Sequence, residues 1–325
     1  MRRFTLALIL AAAMLASCTG TAGIPPEPLD AAVTASPGAA ESAVSEPPET
    51  AAETTSAPEP PLPLPETVET NIEDNAARAI LAEIADVVSA YWEASVSFID
   101  TAEGWYYTIN GGLSYPSAST IKALYCQYLL EAGADFSAEL ILTESKRTSS
   151  TGLLDEEDVG SVFTVGELMG YAICDSDNMA YRLLYEKYGY RKYNEWVRGL
   201  GLENAAMGGY EFCDVTARDL SLGMLRIYRW SVEQEDERLV SLLCGTSWNM
   251  QIPLGTTHTV AHKYGYQGGT DGYHDTAIVF ADVPYVLTVM THNWLYSKDA
   301  NDIFFEVTLL TDELQELLYS GEGKV

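Results

Sequence analysis

Ser119-Thr120-Ile121-Lys122 sets a hydroxyl and an amine at a spacing that chemistry can use. A serine hydroxyl is a weak nucleophile until a neighbouring base takes its proton, and a neutral lysine amine can be that base. The residues that follow, Ile121, Leu124, Tyr125, Tyr128 and Leu129, recur at helical intervals. Ser119 is therefore predicted at a helix N-terminus, with Lys122 about one turn on along the same face. Burial and the positive end of a helix both push a lysine towards its neutral form. A capping serine followed by a surface lysine would look the same, and S-x-x-K arises by chance roughly once in a chain of this length.

Ser176-Asp177-Asn178 lies between two helical runs, 165–173 and 179–185. The tripeptide is rarer by chance, yet Ser, Asp and Asn are also the residues that cap helices and build turns. Lys263-Tyr264-Gly265 closes a strand-like stretch, 257–263. A lysine on a strand edge facing a cleft could bind a substrate carboxylate, and Gly265 would let a substrate backbone approach. The chain has only seven lysines, and two of them fall in these segments.

Other polar groups are weaker candidates. His258 and His262 stand four apart, but Thr259 follows the first and the pattern is strand, so no metal site is expected. His274-Asp275 could form a structural pair. Asp155-Glu156-Glu157-Asp158 reads as a solvated loop. Tyr115, Tyr264, Tyr266 and Tyr273 either line a cleft or pack in the core.

The elements that must position these groups follow from hydrophobic period. Ile72, Ala76, Ile80, Leu81, Ile84, Val87, Val88 and Tyr91 mark an amphipathic helix, with Thr70 or Asn71 as its cap. Residues 96–99 and 105–109 read as strands around a Glu103-Gly104 turn. The signal is mostly helical from 119 to 243. Strands return near 258–266, and a hairpin, 276–281 and 285–291, turns at Asp282-Val283-Pro284. A last helix carries Ile303, Phe304, Val307, Leu310, Leu314 and Leu317. The fold class is α+β: an antiparallel sheet flanked by N- and C-terminal helices, with an all-helical insertion lobe. A cleft between two such lobes is a natural site.

S-x-x-K, then S-D-N, then a K-T-G-like triplet, in that order, is the signature of class A β-lactamases and penicillin-binding proteins. From about Ile72 to Leu318 the chain resembles this serine hydrolase superfamily. Supporting segments are Val165-Gly166-Glu167-Leu168, Val215-Thr216-Ala217-Arg218-Asp219-Leu220 and His274-Asp275-Thr276-Ala277-Ile278-Val279. The resemblance implies that Ser119 is the acylated nucleophile, Lys122 its activating amine and Ser176 a proton relay to the leaving nitrogen. It gives Asn178 the substrate amide and Lys263 the carboxylate. It makes the backbone N–H groups of Ser119 and Tyr266 an oxyanion hole. Two departures stand out. Tyr264 replaces the usual Thr or Ser, which puts the carboxylate site in doubt. No E-x-x-L-N is found in 199–214, where Glu203 and Glu211 lack an Asn at the required distance. In class A enzymes that Glu activates the deacylating water. Acylation with poor β-lactam turnover is the expectation.

The N-terminus sets the compartment. Arg2-Arg3, an apolar run from Phe4 to about Leu15, and Leu15-Ala16-Ser17-Cys18 resemble a lipoprotein signal. Residues 1–17 would be removed, and Cys18 would carry lipid as the membrane anchor. An ordinary secretory signal is the alternative. Residues 18–70 are expected to be a disordered Pro/Glu/Thr/Ala/Ser-rich tether, and 71–325 the hydrolase domain. Of the 14 prolines, 11 lie between Pro25 and Pro65. The formal net charge is −29, and residues 19–77 hold 11 acidic residues and no Lys or Arg. So acidic a chain lacks the electrostatic footprint of a nucleic-acid binder. Cys126, Cys174, Cys213 and Cys244 allow two disulfides or buried thiols.

The expected function is a membrane-anchored extracytoplasmic serine hydrolase, acting through a Ser119 acyl-enzyme on an amide or ester such as a β-lactam or a peptidoglycan peptide. No cofactor is expected, and a monomer is favoured. The alternative is a non-catalytic lipoprotein that binds cell-wall peptides or a protein on the same fold.

Overall fold

Along three adjacent strands, alternate side chains go to opposite cores, as a period of two requires. Ala277, Val279, Leu287 and Val289 join Val96 and Phe98 in one apolar cluster, with Ile80, Leu81, Ile84, Phe304, Val307 and Leu314. Ile278, Val286 and Met290 face the other way, into a second cluster with Leu124, Leu168, Leu184, Leu220 and Leu243. One sheet thus separates two cores.

The computed structural model describes residues 60–320 apart from 92, 147–151, 270–271 and 293–299. The signal segment, Cys18 and the tether up to 59 lie outside the described residues. The sheet contains β1 (Val68–Thr70), β2 (Glu93–Asp100), β3 (Tyr106–Ile109), β8 (Thr259–Gln267), β9 (Gly272–Phe280) and β10 (Tyr285–His292). Its order is β1-β3-β2-β10-β9-β8, and every pair is antiparallel. Helix α1 (Asn75–Ser89) and the last helix, α8 (Ala300–Tyr319), cover one face. The other face carries the helical block: α2 (Ile121–Glu131), α3 (Val165–Cys174), α4 (Asn178–Tyr188), α5 (Arg191–Gly199), α6 (Ala217–Gln234) and α7 (Arg238–Cys244). Small ladders, β4 (Ser114–Pro116) with β7 (Asp214–Thr216) and β5 (Glu139–Ile141) with β6 (Val162–Thr164), interrupt the block. The α+β architecture is the one the sequence predicts. Among the described residues no helix is long and apolar enough to cross a membrane.

Three local expectations need correction. Asp74, not Thr70 or Asn71, caps α1, accepting a hydrogen bond from Ala77 N at 2.9 Å. Thr70 and Asn71 are used elsewhere. Thr70 Oγ1 donates to Tyr106 O at 2.6 Å, and Asn71 joins Gly104 O to Tyr106 N. Residues 68–70, expected in the tether, are the edge strand β1 paired to β3, so the folded part begins earlier than residue 71. Asp275 pairs with His262, not with its neighbour His274, because adjacent strand residues point to opposite faces.

Asp100 ties the ends of the fold together. Its carboxylate accepts from the backbone N–H groups of Ala102, Glu103 and Gly104, and from Gln315 Nε2 and Tyr319 OH on α8. Among the described residues no disulfide joins Cys126, Cys174, Cys213 and Cys244.

Candidate active site

Ser119 sits in a short 3-10 turn, Ala118–Thr120, that runs directly into α2. Ala118 holds a φ of +45°, a left-handed conformation unusual for an alanine, and one that costs energy unless the surroundings enforce it. The surroundings here are β8 and β7. Ser117 N donates to Cys213 O at 2.8 Å, which fastens the turn to the segment before β7. A Cβ on Gly265 would lie 3.0 Å from both Ala118 Cβ and Ser119 N. Glycine at this point lets β8 close onto the Ser119 turn itself. It also sets β8, with Tyr266, beside the Ser119 N–H.

Lys122 is fully buried on the first turn of α2. Its Nζ donates to Ser176 O at 2.6 Å and to Asn178 Oδ1 at 2.6 Å, and lies 3.4 Å from Ser176 Oγ. The two motifs, 54 residues apart, meet through this amine. Burial holds its pKa well below the ordinary lysine value, and the charge on Lys263 adds to the shift; Asp177 opposes it. Among the described residues the Ser119 hydroxyl makes no hydrogen bond, so the expected contact between Lys122 and Ser119 is replaced by one between Lys122 and Ser176 and Asn178.

The Ser176-Asp177-Asn178 turn is built as both of its readings require. Ser176 has φ +56°, a second strained non-glycine residue at the site. Asp177 caps α4 through Ala180 N at 2.8 Å, and its other oxygen accepts from Leu154 N at 2.8 Å. The helix-capping role and the site role therefore belong to different residues of one tripeptide. Gly152, with φ +157°, packs on the same carboxylate, where a Cβ would fall 2.1 Å from Asp177 Oδ2. Two of the three supporting segments resolve likewise into capping boxes, Thr164 with Glu167 on α3 and Thr216 with Asp219 on α6, and the third lies in β9.

Lys263 lies on β8, an edge strand of the sheet, but is fully buried. Its Nζ sits 4.1 Å from the centroid of the Tyr264 ring and 3.4 Å from Tyr264 O. Burial pushes its pKa down to about 7, against the pull of Asp275. Burial raises the pKa of the half-buried Tyr264 hydroxyl, and the neighbouring Ser176 side chain opposes that shift. Of the four tyrosines singled out, Tyr115 is a core residue bonded to Ser95, whereas Tyr264, Tyr266 and Tyr273 lie along the edge. Trp248, which no motif marks, packs at a tilt against Tyr264 with ring centroids 5.8 Å apart. His262 and Asp275 form a buried pair at 2.9 Å, and among the described residues no group of three or more His, Cys, Asp or Glu is placed to hold a metal ion. Glu211 is taken by Arg182 at 3.2 Å. The run 155–158 is exposed, as a solvated loop should be.

Solved structures share this arrangement of elements. PBP-A matches with a TM-score of 0.63 at 22% identity, over 74% of this chain and 96% of that one. A β-lactamase from Sphaerobacter thermophilus DSM 20745 matches with a TM-score of 0.64 at 17% identity, over 74% and 97%. An ancestral class A β-lactamase, GNCA, matches with 0.59 at 23%, over 73% and 99%. At these identities the likeness establishes the fold. No curated protein sequence matches the chain. The sequence pattern of the β-lactamase enzyme family covers residues 79–311, which include Ser119, Lys122, Ser176, Asn178 and Lys263. That span takes in most of the chain and all three motifs, and the protein belongs to the β-lactamase enzyme family.

Proposed function

We propose that the protein is an extracytoplasmic serine hydrolase that forms an acyl-enzyme at Ser119 with an amide or ester. The observation that carries the reading is the buried Lys122 amine between the nucleophile helix and Ser176. A neutral amine has two N–H groups and one lone pair. The N–H groups are engaged by Ser176 O and Asn178 Oδ1, which leaves the lone pair for a hydroxyl proton. In the first step Lys122 takes the Ser119 proton as Oγ bonds to the substrate carbonyl carbon. The oxyanion faces the N–H groups of Ser119 and Tyr266. The bond to the leaving atom then breaks. Ser176 gives that atom its hydroxyl proton and regains one from the Lys122 ammonium. Water later adds to the acyl-enzyme and releases the acid and Ser119. A related fold, a PBP-A variant, is described as an acyl-enzyme complex with penicillin G, which supports a β-lactam as one probe.

Glu211 is held by Arg182, and no carboxylate among the described residues bonds Ser119 or Lys122, which favours slow deacylation. We place the domain outside the membrane on a lipid anchor at Cys18, from the N-terminal signal alone. The test is intact mass spectrometry with penicillins, cephalosporins and activated esters, using Ser119→Ala as control. An adduct that persists for minutes on the wild type and is absent from Ser119→Ala is expected. No adduct with any probe would leave the second reading, a binding protein for cell-wall peptides, which the aromatic cover over Lys263 favours.

A further inference from the structure

The rim of the site along β8 is aromatic and its cation is withdrawn. The rings of Trp248 and Tyr264 meet at a tilt with centroids 5.8 Å apart, and those of Tyr266 and Tyr273 with centroids 4.8 Å apart. Trp248 is 47% exposed and Tyr266 51%, a costly display of ring surface unless something covers it. Lys263 is fully buried, with its Nζ against the Tyr264 ring face at 4.1 Å. That contact satisfies the ammonium with a quadrupole and a backbone carbonyl instead of an incoming anion. The negative charge of Asp175 also acts on Lys263 and Tyr264. Among the described residues no arginine forms an ion pair or hydrogen bond with Ser119, Ser176, Asn178, Tyr264 or Trp248. A substrate carboxylate arriving here would meet rings and an acidic neighbour.

We infer that Tyr264 and Trp248 form an aromatic subsite where an anion site would otherwise lie, and that Ser119 is acylated by neutral, ring-bearing esters or amides in preference to carboxylate-bearing ones. The inference rests on the Ser119 acyl-enzyme reading. Tyr264 is its specificity-determining residue. Its ring covers Lys263 at 4.1 Å and stands beside Trp248.

One cephalosporin supplied as the free acid, the methyl ester and the benzyl ester tests this on the full chain, with acylation rates read by intact mass. The wild type is expected to react fastest with the benzyl ester and slowest with the acid, by about tenfold or more. Tyr264→Thr should narrow or invert that ratio by about tenfold, since it uncovers Lys263. Tyr264→Phe keeps the ring and should keep the ratio. Trp248 is exposed, so Trp248→Ala spares the core and should lower the benzyl-over-methyl preference even if Tyr264→Thr fails to fold. An acid that reacts as fast as the esters in the wild type overturns the inference while leaving the acyl-enzyme intact. So does a ratio unchanged in Tyr264→Thr, or one that collapses in Tyr264→Phe. Labelling of Ser119 by none of these probes and no activated ester overturns the acyl-enzyme reading, and the inference falls with it.

Discussion

Lys122 and Asn178 are joined by a 2.6 Å hydrogen bond from Nζ to Oδ1, which clamps α2 to the first residue of α4. The acceptor is a neutral amide, and that choice matters. A carboxylate at the same distance would favour the ammonium and raise the pKa of Lys122. Asn178→Asp is therefore expected to slow acylation at pH 7 by about tenfold or more, with the acid limb of the pH–rate profile moved up by about one unit. Asn178→Ala removes the bond without adding charge and should leave the limb nearly in place. Rates of Ser119 labelling between pH 5 and 10 decide it.

Lys263 acts on the same profile from a distance. Its positive charge disfavours a second one on Lys122. With Lys263→Met the repulsion is gone, the pKa of Lys122 rises, and the acid limb should move to higher pH. A limb that moves down, or stays fixed, contradicts the coupling.

The same lysine makes stability depend on pH. In the unfolded chain Lys263 keeps its proton up to its ordinary value of 10.5, whereas in the fold it releases it at about 7. Between those values the unfolded state binds more protons, so the fold gains stability as pH rises and bears the full penalty of the buried charge below 7. Buried tyrosines such as Tyr107 and Tyr115 cap the window, because their unfolded forms ionise first near pH 10. Relative to Lys263→Met, the wild-type melting temperature should rise by a few degrees between about pH 7 and pH 9.5. A constant difference would remove the argument.

Gly265→Ala meets backbone as well as a side chain, at 3.0 Å from Ser119 N and Ala118 Cβ. Neither can turn aside. The expected result is a loss of about 1–3 kcal/mol in stability, typical of overpacking, with acylation reduced beyond what the melting shift explains. Denaturant melts paired with Ser119 labelling separate the two effects.

Asp177 should behave as a structural residue. Asp177→Ala removes a helix cap and strands Leu154 N, at a cost of about 1–3 kcal/mol. Asp177→Asn keeps the cap oxygen and should cost less. Labelling of the folded fraction should persist in either, with its acid limb moved to lower pH because the Asp177 charge no longer raises the pKa of Lys122.

The residues of the site were legible because their chemistry depends on type and local spacing. Ser119 and Lys122 share one helix turn, and the strands around Gly104 and Pro284 are announced by alternation and turn residues. The partners were less so. Nothing in the sequence tells that Lys122 prefers Ser176 O and Asn178 Oδ1, since that contact is set by how α2 packs on the turn between α3 and α4. Trp248 belongs to no motif and gains its place only from the β8 edge. Asp275 reads as the partner of His274 along the chain, yet across the strands it is a diagonal neighbour of His262. Thr70 and Asn71 have the right chemistry to cap α1, but the sheet claims them first.

The sheet is assembled from both ends of the folded chain, with β2 sandwiched between β3 and β10 and Asp100 bound to Gln315 and Tyr319 on α8. Its order of folding follows from this. The helical block between Ser117 and Cys244 is contiguous and can condense early from local contacts. The sheet layer has to wait until residues 285–319 are available, because until then β2 lacks a neighbour and one apolar face lacks its cover. A chain emerging N-terminus first would hold an unfinished sheet, with β2 exposed as an open edge, until its last helix arrived.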